Sequence, residues 1–166
     1  MNNQLDKELI WHPYTQELTA RPNVLIKKAK GSYLYTDDDQ KIFDGISSWW
    51  VNIFGHSNAQ LNQALEMQLE KFQQVIFAGL THKPSIELCL SLKKILPAGL
   101  NKFFFSDNGS TAVEVALKMA LRYQLLEGKK QVHLIAFKGS YHGDTLGARL
   151  VTDAITENLG LHFPNL

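Results

Sequence analysis

The sequence predicts an α/β fold, and three observations carry that expectation. An aromatic run at 102–105, an apolar helical stretch at 110–126 and a continuous apolar run at 132–137 follow one another in strand–helix–strand order. Each strand-like run ends in a polar, glycine-bearing loop, 106–111 and 138–145, and α/β sheets bind ligands beyond the carboxyl ends of their strands. Ahead of this unit, short apolar runs and a polar turn between 24 and 44 read as a β-hairpin.

Residues 1–23 contain Pro13 and Pro22 and little periodicity, which predicts an extended arm rather than a helix. Val24–Ile26 and Tyr33–Tyr35 are expected as strands, Asp37–Asp39 as a turn, and Lys41–Asp44 as the returning strand. The triple aspartate lacks the further oxygen ligands and following glycine of a calcium loop, so it reads as a solvated turn. Gln40 stands where a glycine is expected after Asp39 in such a turn. Between Gly45 and Gly55 the chain concentrates Ser47, Ser48, Trp49, Trp50, Asn52 and Phe54.

After the Ser57–Asn58 cap, Leu61, Leu65, Leu69, Phe72 and Ile76 recur at helical spacing, predicting about five turns with one face in the core. A second helix is expected from Pro84 to about Leu96, stopped by Pro97 and Gly99. Ser110 to about Leu126 is apolar on nearly every face, which predicts a helix buried on more than one side and ended at Gly128. Val132–Phe137 reads as a parallel-sheet strand, and its crossover from 102–105 should be right-handed.

A composition of 45% hydrophobic and 20% charged residues is that of an ordinary globular protein. Net charge is +1 and the basic residues are scattered, so there is no electrostatic footprint for nucleic acid or an anionic membrane. The single cysteine, Cys89, lies in an apolar run and fits a core position in a reducing compartment. No secretion signal and no apolar run of membrane-spanning length is present, so a cytoplasmic location is expected.

At 106–111, Gly109 permits close approach of a ligand to the backbone, and the N–H groups of Ser110 and Thr111 open a helix. Free N–H groups and the positive end of the helix dipole suit an anion such as phosphate. Taken alone, the same residues serve equally well as an ordinary turn and cap. There is no G-x-x-x-x-G-K-[ST] run and no G-x-G-x-x-G after a strand, so one phosphate ester fits better than a nucleotide polyphosphate. The second loop offers Tyr141 and His142, and a flat aromatic ring there can stack on a cofactor; a hydrogen-bonded Tyr–His pair is the other reading.

With both loops in view, F-x-S-D-N-G-S-T-A-V-E-V-A-L-K-M-A at 104–120 and G-S-Y-H-G-D-T-L-G-A at 139–148 resemble class III (fold type I) aminotransferases that use pyridoxal 5′-phosphate. W-H-P-Y-T-Q at 11–16, D-G-I-S-S-W-W at 44–50 and T-H-K-P-S-I-E-L-C at 81–89 resemble the biotin-pathway members of that class. The resemblance implies an arm and small-domain hairpin over 1–58, then the start of a mainly parallel large-domain sheet over 59–166. It implies phosphate binding by Gly109 and Ser110, and Tyr141 against the pyridine ring and near substrate. Tyr14, Trp49 and Trp50 would line the substrate pocket, with plain core filling as the other reading of the Trp pair. The implied substrates are S-adenosylmethionine as amino donor and 8-amino-7-oxononanoate as acceptor, the implied assembly is a homodimer, and no metal is called for.

The resemblance also implies two groups that this sequence does not contain in a matching motif: the Schiff-base lysine and the aspartate that pairs with the pyridinium nitrogen. Lys118 and Lys138 stand in other contexts. The expectation is therefore a truncated aminotransferase, inactive by itself, with apolar faces uncovered and a tendency to associate. The alternatives are a non-catalytic remnant or split-protein partner, told apart by a downstream reading frame carrying the missing residues, and a different class III aminotransferase, told apart by its amino donor.

Overall fold

The computed structural model describes residues 3–129 and 132–152. The chain divides into two compact units, Met1–His82 and Lys83–Leu166.

The first unit begins with a helix, α1 (Asn3–Leu9), where an extended arm was expected. The run from Gln4 to Leu9 contains good helix formers, and the first proline comes only at Pro13. Asp6 then ties the arm together. Both of its carboxylate oxygens lie 3.0 Å from the His12 ring nitrogen Nε2, and Asn23 donates to it at 3.0 Å.

A three-stranded antiparallel meander follows: β1 (Ile26–Lys30), β2 (Tyr33–Thr36) and β3 (Lys41–Phe43). Val24 and Leu25 thus precede the first strand. The register of β1 against β2 slips between Ile26 and Lys28, leaving Lys27 out of the pairing, and its ammonium meets Asp39 at 2.6 Å. Asp39 itself takes φ 66. The aspartate, pinned by Lys27, does the work that a glycine does in commoner turns.

Asn58 caps α3 (Ala59–Leu69), its side chain accepting from the N–H groups of Gln60 and Leu61. The helix has about three turns rather than five. Beyond Leu69 the side chains of Gln68 and Gln73 donate to the carbonyls of Phe72 and Leu69, closing the end of the helix.

The second unit contains α4 (Lys83–Lys93), α5 (Gly109–Leu126) and α6 (Leu146–Leu150), with α6 packed against α5. Residues 102–105 and 132–137, expected as strands of one βαβ unit, carry no strand pairing among the described residues. A strand is defined by its hydrogen-bonded neighbours, and neither run finds one here.

Burial departs from expectation in the same way. No residue of α3 or α5 is buried, although a core face on the one and burial on several sides of the other were predicted. The only buried apolar residues among those described are Ala148 and Val151. Apolar periodicity makes a helix face but does not supply its partner, and no described element covers these faces. Large exposed side chains such as Leu65, Leu126 and Phe137 are the uncovered apolar surface that the sequence led us to expect.

Candidate functional site

In the second unit, the turn before α5 is shaped by a reciprocal cap. The Asn108 side chain accepts from the Thr111 N–H at 2.9 Å, and Thr111 Oγ1 accepts from the Asn108 N–H at 3.2 Å. Ala112 N–H reaches the Asn108 carbonyl at 3.0 Å. Of the groups that open the helix, the N–H groups of Gly109 and Ser110 are left without a partner among the described residues. They sit at the positive end of an 18-residue helix. A Cβ added at Gly109 would meet no atom within 4 Å, so there is room for a ligand at the backbone. These features fit a phosphate ester.

The loop 138–145 docks on this turn. Asp144 N–H donates to Ser110 Oγ at 3.1 Å. Gly143, at φ +130, lies so close that a Cβ there would sit 2.8 Å from Ser110 Cα. Tyr141 is exposed, and its hydroxyl donates to Asp144 at 2.7 Å. The neighbouring His142 turns its backbone N–H to Thr152 Oγ1 at 2.9 Å. Farther along α5, Glu114 accepts from the Gly147 N–H at 2.6 Å, tying α6 to α5. The Thr145 hydroxyl beside it, then the Gly147 and Ala148 N–H groups, hold the Glu114 carboxyl below the ordinary range against the opposing effect of burial.

In the first unit, Tyr14 and Trp49 meet edge to face, ring centroids 5.5 Å apart and planes at 78°. Trp50 is 78% exposed, so plain core filling does not describe it here. The backbone that presents these rings is unusual. The short element α2 (Ser47–Trp50) is a left-handed turn, with φ of 50, 47, 59 and 66 at Ser47, Ser48, Trp49 and Trp50. Tyr14 has φ 56. Each such non-glycine residue costs about 1–2 kcal/mol.

Asp44 offsets part of that cost. Its carboxylate accepts from the Ser48 N–H at 3.0 Å and the Ser48 hydroxyl at 2.9 Å, and lies 2.7 Å from His56 Nε2. The His56 hydrogen bond first, then the Ser48 N–H and hydroxyl, lower its pKa from the ordinary value of 3.8 although burial opposes them.

Among the predicted positions, Gly109, Ser110 and Tyr141 fall in the second unit, where one loop and one helix start bring them together. Tyr14, Trp49 and Trp50 fall in the first, and there Tyr14 meets Trp49. Sequence reasoning did not single out Asp44, His56, Glu114 or Asp144. The signals available for Asp44 were its place at the head of the D-G-I-S-S-W-W run and a carboxylate four residues before Ser48 in a polar, glycine-flanked segment.

The family model for aminotransferase class-III matches residues 14–164. An adenosylmethionine-8-amino-7-oxononanoate aminotransferase from Buchnera aphidicola subsp. Baizongia pistaciae is 44% identical over 152 residues, which is 92% of this chain and 35% of the relative. The crystal structure of the enzyme of that name from Methanocaldococcus jannaschii superimposes with a TM-score of 0.87 at 38% identity, over 95% of this chain and 37% of that one. An omega transaminase from Pseudomonas jessenii in complex with PMP gives a TM-score of 0.89 at 27% identity, over 98% and 37%. The chain therefore spans about a third of the length of the curated relatives it matches. No helix among the described residues is long and apolar enough to cross a membrane. By the family match and by its likeness to these structures, the chain belongs to the class III aminotransferases, a pyridoxal-phosphate-dependent family.

Proposed function

We propose that this chain provides the phosphate cradle and part of the substrate wall of an aminotransferase that moves the amino group of S-adenosylmethionine to 8-amino-7-oxononanoate, giving 7,8-diaminononanoate. The observation that carries the reading is the pair of N–H groups at Gly109 and Ser110, without a partner among the described residues, at a helix start against which the Tyr141 loop is docked. The names of the relatives support the choice of substrates.

Bound pyridoxal phosphate supplies the electron sink for amino transfer. In this reading the Gly109 and Ser110 N–H groups bind its phosphate, and Tyr141, steadied by Asp144, lies against the ring and near substrate. Tyr14 and Trp49, with Trp50 beside them, line the pocket for the aliphatic chain of the acceptor. The lysine and aspartate of the reaction are supplied by residues that match no motif of this chain. A cytoplasmic homodimer completes the proposal.

The cradle is tested by titrating the chain with pyridoxal phosphate and with pyridoxal. The phosphate ester should bind at least roughly tenfold more tightly, since charge-assisted hydrogen bonds are the strong ones. Equal binding removes the cradle. Borohydride trapping should give no adduct confined to one lysine, and a single trapped lysine would overturn the assignment of that residue to sequence outside this chain. The substrate reading is tested by amino-transfer assays of the protein carrying this segment together with the missing lysine and aspartate. Adenosylmethionine should serve as donor; turnover with glutamate or ornithine instead assigns a different class III activity.

A further inference from the structure

We propose that Asp44 is a positioning residue for the aromatic wall: its carboxylate, braced by His56, holds Ser47–Trp50 in the left-handed turn that sets Trp49 edge-on to Tyr14. A run of left-handed, non-glycine residues persists only where its surroundings over-determine it. Of the non-glycine residues with positive φ, five are Tyr14 and the four of this turn, so the strain is gathered on the three residues read as substrate wall and the two serines that lead into them.

Asp44 is mounted on the hairpin rather than on the turn it holds. Its own N–H donates to the Ser32 carbonyl at 2.9 Å. His56 is fixed by paired backbone hydrogen bonds with Gly31, at 3.0 and 2.8 Å. Gly55 packs so closely there that a Cβ would lie 3.1 Å from Gly31 Cα. From that base both carboxylate oxygens are used: Oδ1 by the Ser48 N–H, Oδ2 by the Ser48 hydroxyl and the His56 ring. The Asp44 side chain is 5% exposed, and a carboxylate is buried to that degree only when its oxygens are paired. Within the turn, the Trp50 N–H to the Ile46 carbonyl and the Asn52 N–H to the Ser47 carbonyl complete the hold.

The role of the turn in substrate binding rests on the function proposed above; the hold itself does not, and its test needs neither cofactor nor substrate. The full chain is compared with Trp49→Phe by near-ultraviolet circular dichroism, and their difference defines the Tyr14–Trp49 signature. Asp44→Ala should lose most of that signature with its far-ultraviolet spectrum unchanged. Adding Ser47→Gly and Ser48→Gly to Asp44→Ala should restore it in large part, because glycine adopts the left-handed region freely. A signature that survives Asp44→Ala overturns the proposal. So does a signature that is lost and not restored by the glycines, because a carboxylate that merely fills space is not replaced by backbone freedom. Should Asp44→Ala unfold the chain, Asp44→Asn, which keeps the volume and one acceptor, takes its place: a weakened signature restored by the glycines supports the hold, and an unchanged one overturns it. Failure of the amino-transfer assay with the signature intact counts against the substrate reading alone.

Discussion

At residues 108–111 the stabilising partners come from the turn itself, Asn108 in relaxed, extended backbone and Thr111 in the first helical turn capping each other. At residues 47–50 the backbone is left-handed throughout, and its partners come from Asp44 and, through it, from His56 and the hairpin. The first turn would form in many contexts because local propensity and local hydrogen bonds agree. The second exists only because a distant support outweighs a local cost. An anion site needs only open N–H groups, which every helix start has. Presenting adjacent tryptophans outward at a chosen angle needs a conformation that their own backbones resist.

The largest effect should come from Gly143→Ala, which attacks the relaxed turn from outside. The new Cβ would fall 2.7 Å from Ser110 Cβ and 2.8 Å from its Cα, at a φ of +130 that suits only glycine. The loop must leave the turn, at a cost of about 1–3 kcal/mol as for other overpacked sites. Amide exchange at Ser110 and Asp144 should speed accordingly, and pyridoxal phosphate affinity should fall with it. Unchanged exchange at both residues would break the claim that loop 138–145 is docked on the helix start.

This difference between the turns also decides what the sequence could reveal. Asn108, Gly109, Ser110 and Thr111 announce their structure, because a cap is a relation among adjacent residues. Asn58 before α3 was legible for the same reason, as was the turn at 37–39. The strained turn was not: Ser47–Trp50 reads locally as any short polar–aromatic segment, and its conformation is set by Asp44 and His56, which meet only after the hairpin folds. The helix at Asn3–Leu9 was missed because two prolines were allowed to speak for a stretch that precedes both. Residues 102–105 and 132–137 pair with no strand among the described residues and α3 and α5 bury no residue, because apolar patterning states a need for partners without naming them.

A smaller effect is expected at Asn108, and it separates capping from ligand binding. Asn108→Ala removes the acceptor for the Thr111 N–H and should destabilise the start of α5 by about 1 kcal/mol, seen as faster amide exchange at Thr111. Asn108→Asp keeps the cap, because aspartate is an equally good N-cap, but sets a negative charge beside the Gly109 and Ser110 N–H groups. Exchange at Thr111 should then stay at the parent rate while affinity for pyridoxal phosphate drops several-fold and recovers partly at high salt. Parent-like affinity in Asn108→Asp would leave the turn as a cap and nothing more.

The smallest expected change is a response to acid that touches one turn and spares the other. Asp44 has a lowered pKa, caused first by His56 and then by the Ser48 N–H and hydroxyl. A carboxyl whose pKa is lower in the folded turn than in the open chain contributes its full stability above the open-chain value, and that contribution is lost as pH falls through the lowered one. In a Trp11→Phe background, so that only Trp49 and Trp50 emit, tryptophan fluorescence should be flat down to the ordinary aspartate value of 3.8 and change below it. The cap of α5 uses an amide and a hydroxyl and has nothing to titrate, so amide exchange at Thr111, corrected for its intrinsic pH dependence, should stay constant over the same range. Glu114 is lowered too, chiefly by the Thr145 hydroxyl, so the tie between α5 and α6 should loosen in acid with the tryptophan turn. A fluorescence transition centred above 3.8, or one matched by exchange at Thr111, would mean that the two turns share a support and that the contrast between them is false.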